Sequence, residues 1–217
     1  MSMRGLARYV MADVVRGQGW VAPALTFGAM DAVNSAQAGT VLPAFAISAT
    51  ALVFIGAWLT VVVVNHEDPF GQYVTEATAG SRTRVRLSKL TVAYVLTAGL
   101  GLVGLVGPVL GGASITFTLF VQGAGAQLIT PLAGVAIGSV CSRPIVTRRA
   151  WSLLLGALVC LVTVITPHGV PSRQLLVLFN ATAHTATALP LLGVGVETLL
   201  AAAALVAASS RVSLRRA

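Results

Sequence analysis

The sequence predicts an all-α polytopic membrane protein with six transmembrane helices, and three observations carry that prediction. Apolar runs of roughly 20 residues, the length needed to cross a hydrocarbon core, recur along a chain whose mean hydropathy is +0.89. Only 9% of its 217 residues are charged, against roughly 25% in a soluble domain. The 14 Lys and Arg residues gather in short segments between the apolar runs. Gly (22 residues) and Ala are abundant and aromatics sparse, a composition suited to helices that approach closely through small side chains.

Each element follows in order. Residues 4–18 read as a short helix lying on the membrane, because Leu6, Tyr9, Val10 and Val14 recur at helical spacing among Arg4, Arg8, Asp13 and Arg16. A frayed tail is the alternative. The preceding and overlapping sequence has neither a continuous apolar core nor a small-residue cleavage site, so no cleaved signal peptide is expected. The first span covers about 20–39, opened by Trp20 as an interfacial anchor. It contains Pro23, Asp31, Asn34 and Gln37, so its polar side belongs against other helices, a cavity or the outer interface.

The second span, about 42–64, ends in WLTVVVV and is followed by a cytoplasmic stretch, 65–89. The third span covers about 90–110 and the fourth about 115–140, where Pro131 is expected to kink the helix. A short basic loop, CSRPIVTRRA, leads to the fifth span at about 151–167. Residues 168–186 hold an apolar stretch too short to cross, which reads as an outer-side interfacial or re-entrant helix. The sixth span, about 187–209, precedes the basic tail RVSLRRA, and the whole chain forms a single transmembrane domain.

Six spans put the N-terminal segment, the 65–89 stretch, the 142–150 loop and the tail on one side. Those segments carry 3, 4, 3 and 3 basic residues, which is 13 of the 14, and only Arg173 falls on the other side. The positive-inside bias therefore supports both the span number and cytoplasmic N- and C-termini. The same placement accounts for the net charge of +8 without nucleic acid, since no basic face is interleaved with aromatics.

The chain shows no GxxxxGK[ST], HExxH, CxxC or GxSxG. No catalytic, cofactor-binding or metal-ligating residues are expected in it, and His66, His168 and His184 are dispersed. Cys141 and Cys160 read as inert buried thiols. Among the intramembrane polar residues, Glu197 is either a pathway or proton-handling group or a carboxyl satisfied by a neighbouring helix. Asp31 and Asn34, one turn apart, either line a cavity or form the polar outer end of a short span. Gln122 and Gln127 read as interhelical hydrogen-bonding groups or as substrate contacts. Asn180 stands in an N-A-T triplet that implies nothing without a secretory context.

The 65–89 stretch is the most informative segment. It begins with Glu67 and Asp68, turns at Pro69-Phe70, and continues as a short helical pattern through Tyr73, Val74 and Ala77 to Glu76 and Gly80, before the basic run. Such a helix, lying along the membrane and tipped with acidic and aromatic groups, suits insertion into a groove on a soluble partner. A solvated connection between two spans is the alternative.

This order of elements resembles the membrane subunits of ABC-2 type transporters, a permease family whose ATPase is often a separate polypeptide. The matching features are the N-terminal interfacial helix, two spans, the segment GQYVTEATAGSRTRVRLSKLTVAYVL (71–96), and four further spans with a short outer helix before the last. The loops here are more compact and the first span more polar than the family's. The resemblance implies that the short helix is a coupling helix, with Glu67, Asp68, Phe70, Tyr73 and Glu76 docking on the ATPase subunit. It implies a second six-span subunit, identical or paralogous, and ATP and Mg held in the partner ATPase rather than in this chain. It further implies residence in the bacterial cytoplasmic membrane and efflux of an amphipathic or lipid-like substrate by alternating access. Two other classes fit the composition: a proton-coupled secondary transporter or channel using Glu197 or Asp31, and a non-transporting membrane scaffold.

Overall fold

A computed structural model describes residues 3–37, 41–110, 116–142, 149–165 and 196–208 of the chain. They are helical almost throughout. The helices are α1 (Met3–Arg16), α2 (Val21–Gln37), α3 (Val41–Val64), α4 (Pro69–Ala79), α5 (Arg82–Gly104), α6 (Val106–Leu110), α7 (Phe117–Cys141) and α8 (Arg149–Ile165). A further apolar helix, α9, covers Val196–Ala208.

Three helical stretches are long and apolar enough to cross a membrane: Pro43–Val64, Arg82–Pro108 and Phe117–Cys141. Helices α2 and α8 occupy the positions expected for the first and fifth spans, and each is described over 17 residues. Both stop at the edge of the described residues, α2 before 38–40 and α8 before 166–195. The expected sixth span is described only over α9, and the expected outer helix at 168–186 lies outside the described residues, as do His168, His184, Asn180 and Arg173.

Helix α3 is the axis of the bundle, with α2, α5, α7 and α8 packed around it. Its most extensive contact is with α7, and the reason lies in two glycines one turn apart. A Cβ on Gly134 would stand 2.5 Å from the Val53 carbonyl oxygen, and one on Gly138 would stand 2.7 Å from that of Ala57. Only hydrogen in place of a side chain lets the two backbones meet at this distance, the packing mode available to helices that gain nothing from burying apolar surface against lipid. At the middle of this contact Gln127 is wholly buried, and its Nε2 donates to Ser48 Oγ of α3 at 2.6 Å.

Helix α7 continues through Pro131. Proline removes one backbone donor, and close to that gap the Tyr94 hydroxyl of α5 donates to the Leu128 carbonyl at 3.1 Å. Proline has the opposite outcome in the third expected span. Pro108 leaves the Gly104 carbonyl without its helical donor, and α5 ends at Gly104, so the run divides into α5 and the short α6.

The start of α5 also differs from the sequence reading. The expected span begins at about Leu90, whereas the helix begins at Arg82. Hydropathy marks where a chain enters hydrocarbon, not where it becomes helical. Arg, Leu and Lys are good helix formers, so the basic run RTRVRLSK forms the first two turns of the helix.

All the described connections agree on one polarity. Gly19 lies against Val62, while the Asn34 amide donates to the Ala44 carbonyl at 2.9 Å, so α2 runs antiparallel to α3. The Ser152 hydroxyl bonds the Cys141 carbonyl, joining the start of α8 to the end of α7. One cluster contains Val10 and Val14 of α1, Val63 and Val64 of α3 and Leu90 and Ala93 of α5, with Val206 of α9 packed against it. The proximal end of the bundle therefore carries α1, α4, the start of α5, the α7–α8 junction and the end of α9. All eight described basic residues stand in these segments.

Helix α1 departs from the expected membrane-surface helix in one respect. Its stripe of Leu6, Val10 and Val14 is almost fully buried. Leu6 packs with Ala79 and Val85, so the stripe is covered by the protein itself, and Tyr9 is left exposed on the other side.

Candidate functional site

Helix α4 is bounded by residues whose backbone preferences admit little else. Asp68 is extended (φ −61°, ψ 148°) before Pro69, whose ring presets the helical φ of the first turn. Gly80 ends the helix with φ 70°, its N–H donating to the Glu76 carbonyl at 3.0 Å. That left-handed conformation strains any residue with a Cβ. Ser81 is extended again, and α5 begins one residue later.

The helix is mounted with its apolar side outward. Phe70, Tyr73 and Val74 are 77%, 64% and 53% exposed, and Ala77 continues the same stripe at i, i+3, i+4 and i+7. The inward side buries Ala79 against Leu6 and Val85 and is otherwise polar. Gln72 Nε2 donates to Glu76 Oε1 at 3.0 Å, and the Thr75 hydroxyl donates to Glu67 Oε1 at 3.3 Å. An amphipathic helix in a self-contained protein buries the other side.

Ion pairs hold α4 in this attitude. Lys89 of α5 is buried and places Nζ 2.8 Å from Glu67 Oε2, just before α4. The contact is a charge pair whose angles are not those of a hydrogen bond. At the other end of α4, Arg82 Nε lies 2.9 Å from Glu76 Oε2. The two pairs are unequal in value. Arg82 is substantially exposed, and such pairs contribute little, whereas removing one partner of the buried pair strands a charge. On the same helix, Arg86 donates to the Ser139 carbonyl of α7 at 3.1 Å. His66, beside Glu67, lies 3.5 Å from Asp13 of α1. The first turns of α5 thus touch α1, α4 and α7 together.

Of the five residues expected to dock a partner, the structure presents three and turns two inward. Asp68, Phe70 and Tyr73 are exposed, while Glu67 and Glu76 are held by the chain's own Lys89 and Arg82. Val74 belongs with the exposed set, and the helical spacing from Phe70 was the signal for it. Lys89 and Arg86 had no such signal. Among basic residues beside a span, nothing in sequence separates a buried partner from a solvated charge.

The residues considered for a translocation pathway fall at different helix contacts. Asp31 on α2 is half-buried, with Gly104 of α5 and Gly107 of α6 against its carboxylate. Asn34 is spent on the Ala44 carbonyl, Gln127 on Ser48, and Gln122 is buried on α7. Glu197 stands on α9 with an exposed surface. Cys141 and Cys160 are unbridged and buried, and they line one apolar cluster with Val53, Ala57 and Ile137, a proximity their spacing in sequence did not announce. Among the described residues no three or more of His, Cys, Asp and Glu gather as a metal site.

The chain is thus an all-helical, polytopic membrane protein, and comparison with protein-family models, curated proteins and solved structures finds nothing that matches it.

Proposed function

We propose that the chain is the membrane subunit of an ATP-driven exporter of the ABC-2 type, working with a separate ATPase and a second six-span subunit. One observation carries this reading: a short helix at one end of the bundle holds Phe70, Tyr73 and Val74 outward, while the Glu76–Arg82 and Glu67–Lys89 pairs tie it to α5 from behind. Aromatic side chains on a rigid support beside an acidic group are what a groove on a soluble partner accepts. The gathering of the described basic residues at that same end supports its placement in the cytoplasm of a bacterium, where an ATPase would reach it.

In this reading ATP and Mg bind to the partner, and this chain contributes mechanical linkage. Displacement of α4 by the closing ATPases passes through Glu67–Lys89 and Glu76–Arg82 to the first turns of α5. From there Arg86 carries it to the end of α7. A bundle packed backbone to backbone at Gly134 and Gly138 shifts as a unit instead of deforming, as alternating access requires. The apolar outer surfaces and few polar interior groups favour an amphipathic or lipid-like cargo.

The test is gentle extraction from the native host through a tag on this chain. A particle with two copies of a soluble subunit carrying an ATPase motif is expected. Phe70→Ala and Tyr73→Ala should each weaken its retention by about tenfold or more while still inserting in the membrane. Glu76→Lys is a poorer probe, because it also breaks the pair with Arg82. A particle containing this chain alone, in several mild detergents, would overturn the proposal.

A further inference from the structure

Of the acidic residues, Asp13, Glu67 and Glu76 are held by His66, Lys89 and Arg82 at the proximal end, and Asp68 and Glu197 are exposed. Asp31 differs from all of them. It lies toward the distal end of α2, half-buried, with no ion pair or hydrogen bond among the described residues. The eight described basic residues stand at the other end of the bundle. Its charge is therefore uncompensated by the described chain.

What surrounds Asp31 identifies a ligand. Phe27, Asp31 and Ser35 follow four-residue spacing on the side of α2 that meets α5 and α6. A Cβ on Gly104 would touch the buried ring of Phe27 and stand 3.4 Å from Asp31 Oδ1. One on Gly107, a turn further, would stand 2.8 Å from Asp31 Oδ2 and run into Ser35 Oγ. The carboxylate and hydroxyl oxygens thus converge beside Gly107. Ser35 Oγ is buried without a hydrogen-bond partner, which is costly for a polar atom. A third oxygen belongs to the same turn, because Pro108 leaves the Gly104 carbonyl without its helical donor.

We infer that this crevice, where α2 crosses the α5–α6 junction, binds a monovalent alkali cation. Asp31 supplies the charge, Ser35 Oγ a neutral oxygen ligand and the Gly104 carbonyl a further one, a donor set that interrupted helices offer to such ions. Hydrogen in place of a side chain at Gly107 leaves the oxygens room to face a shared point. Calcium-type sites recruit several carboxylates, and no three or more of His, Cys, Asp and Glu gather among the described residues. A proton would neutralise Asp31 but engage a single oxygen, leaving the buried Ser35 hydroxyl without a role. The bound ion ties α2 to the junction at the end of the bundle away from α4, so this inference does not rest on what α4 binds.

The test is equilibrium binding of radioactive sodium and, as a potassium analogue, rubidium to the full chain in mild detergent, with choline chloride holding the ionic strength. Saturable retention of one of these ions is expected, approaching one per chain. Asp31→Asn should abolish it. Gly107→Ala should abolish it while keeping the carboxylate, because the added methyl group occupies the point where the oxygens meet. Ser35→Ala should weaken binding by about tenfold, the effect of losing one neutral ligand. Asp13→Asn, which removes an acidic group at the other end of the bundle, should leave it unchanged. Should Gly107→Ala not fold, Asp31→Asn and Ser35→Ala still decide the matter, since neither adds volume. Absence of saturable binding of either ion, or unchanged binding in folded Asp31→Asn, would overturn the inference. So would tighter retention of calcium than of either ion, or proton uptake at Asp31 with neither ion bound.

Discussion

Helices α1 and α4 make an instructive pair. Both are short, both are amphipathic, and both sit at the proximal end against α5. Helix α1 turns Leu6, Val10 and Val14 into the protein, whereas α4 turns Phe70, Tyr73 and Val74 away from it. Burying a Leu or Val side chain stabilises by about 1.5–3 kcal/mol, so α1 is held by its apolar side. Helix α4 buries only Ala79 in this way and is held mainly by Glu67–Lys89, Glu76–Arg82 and a left-handed glycine. A helix kept in place by its polar side leaves its apolar side available. The lesson is that amphipathicity alone does not tell which face a helix commits.

The comparison can be broken most forcefully at α1. Val14→Asp places a charge in the cluster formed with Val64, Leu90 and Ala93 and should cost about 3–5 kcal/mol. Thermal unfolding in detergent and release of α1 to protease would report it. The same kind of change at an exposed α4 position, Val74→Asp, should leave the melting temperature nearly unchanged.

Next in size is the buried pair behind α4. Lys89→Met strands Glu67 and should destabilise by about 3 kcal/mol. Adding Glu67→Gln should restore much of that loss, and the double-mutant cycle isolates the coupling. A loss in the double variant equal to the sum of the two singles would show that the pair does not hold α4.

Gly80→Ala tests the turn that aims the helix. With φ at 70°, a Cβ should cost about 1–2 kcal/mol, and partner retention should fall with it. The smallest effect on stability is expected at the tip. Phe70→Ala should change stability by no more than about 0.5 kcal/mol, the same substitution that should weaken retention of the ATPase. A large loss of stability there would mean that Phe70 packs within the protein, and α4 would then resemble α1.

Much of this was legible in the residues. The helix at 69–79 follows from Pro69, the Phe70–Tyr73–Val74–Ala77 spacing and Gly80, all local signals. The three long apolar helices follow from hydropathy. Glu67 and Glu76 were expected to face a partner because the resemblance implied that they dock on it. Their inward turn required Lys89 and Arg82 to be brought beside them, and Lys89 lies far along the chain from Glu67. The common cluster of Cys141 and Cys160 was equally out of reach, since it depends on α7 and α8 meeting around α3.

The sequence by itself determined that the chain is helical, that it belongs in a membrane, and where α4 begins and ends. Those properties come from composition, periodicity and the φ preferences of Pro and Gly, each of which acts over a few residues. Only the tertiary structure decided which face each amphipathic helix shows, which charges neutralise one another and which stay open. Those outcomes depend on contacts between residues on different helices: Val10 and Val14 against α3 and α5, and Lys89 and Arg82 of α5 beside Glu67 and Glu76.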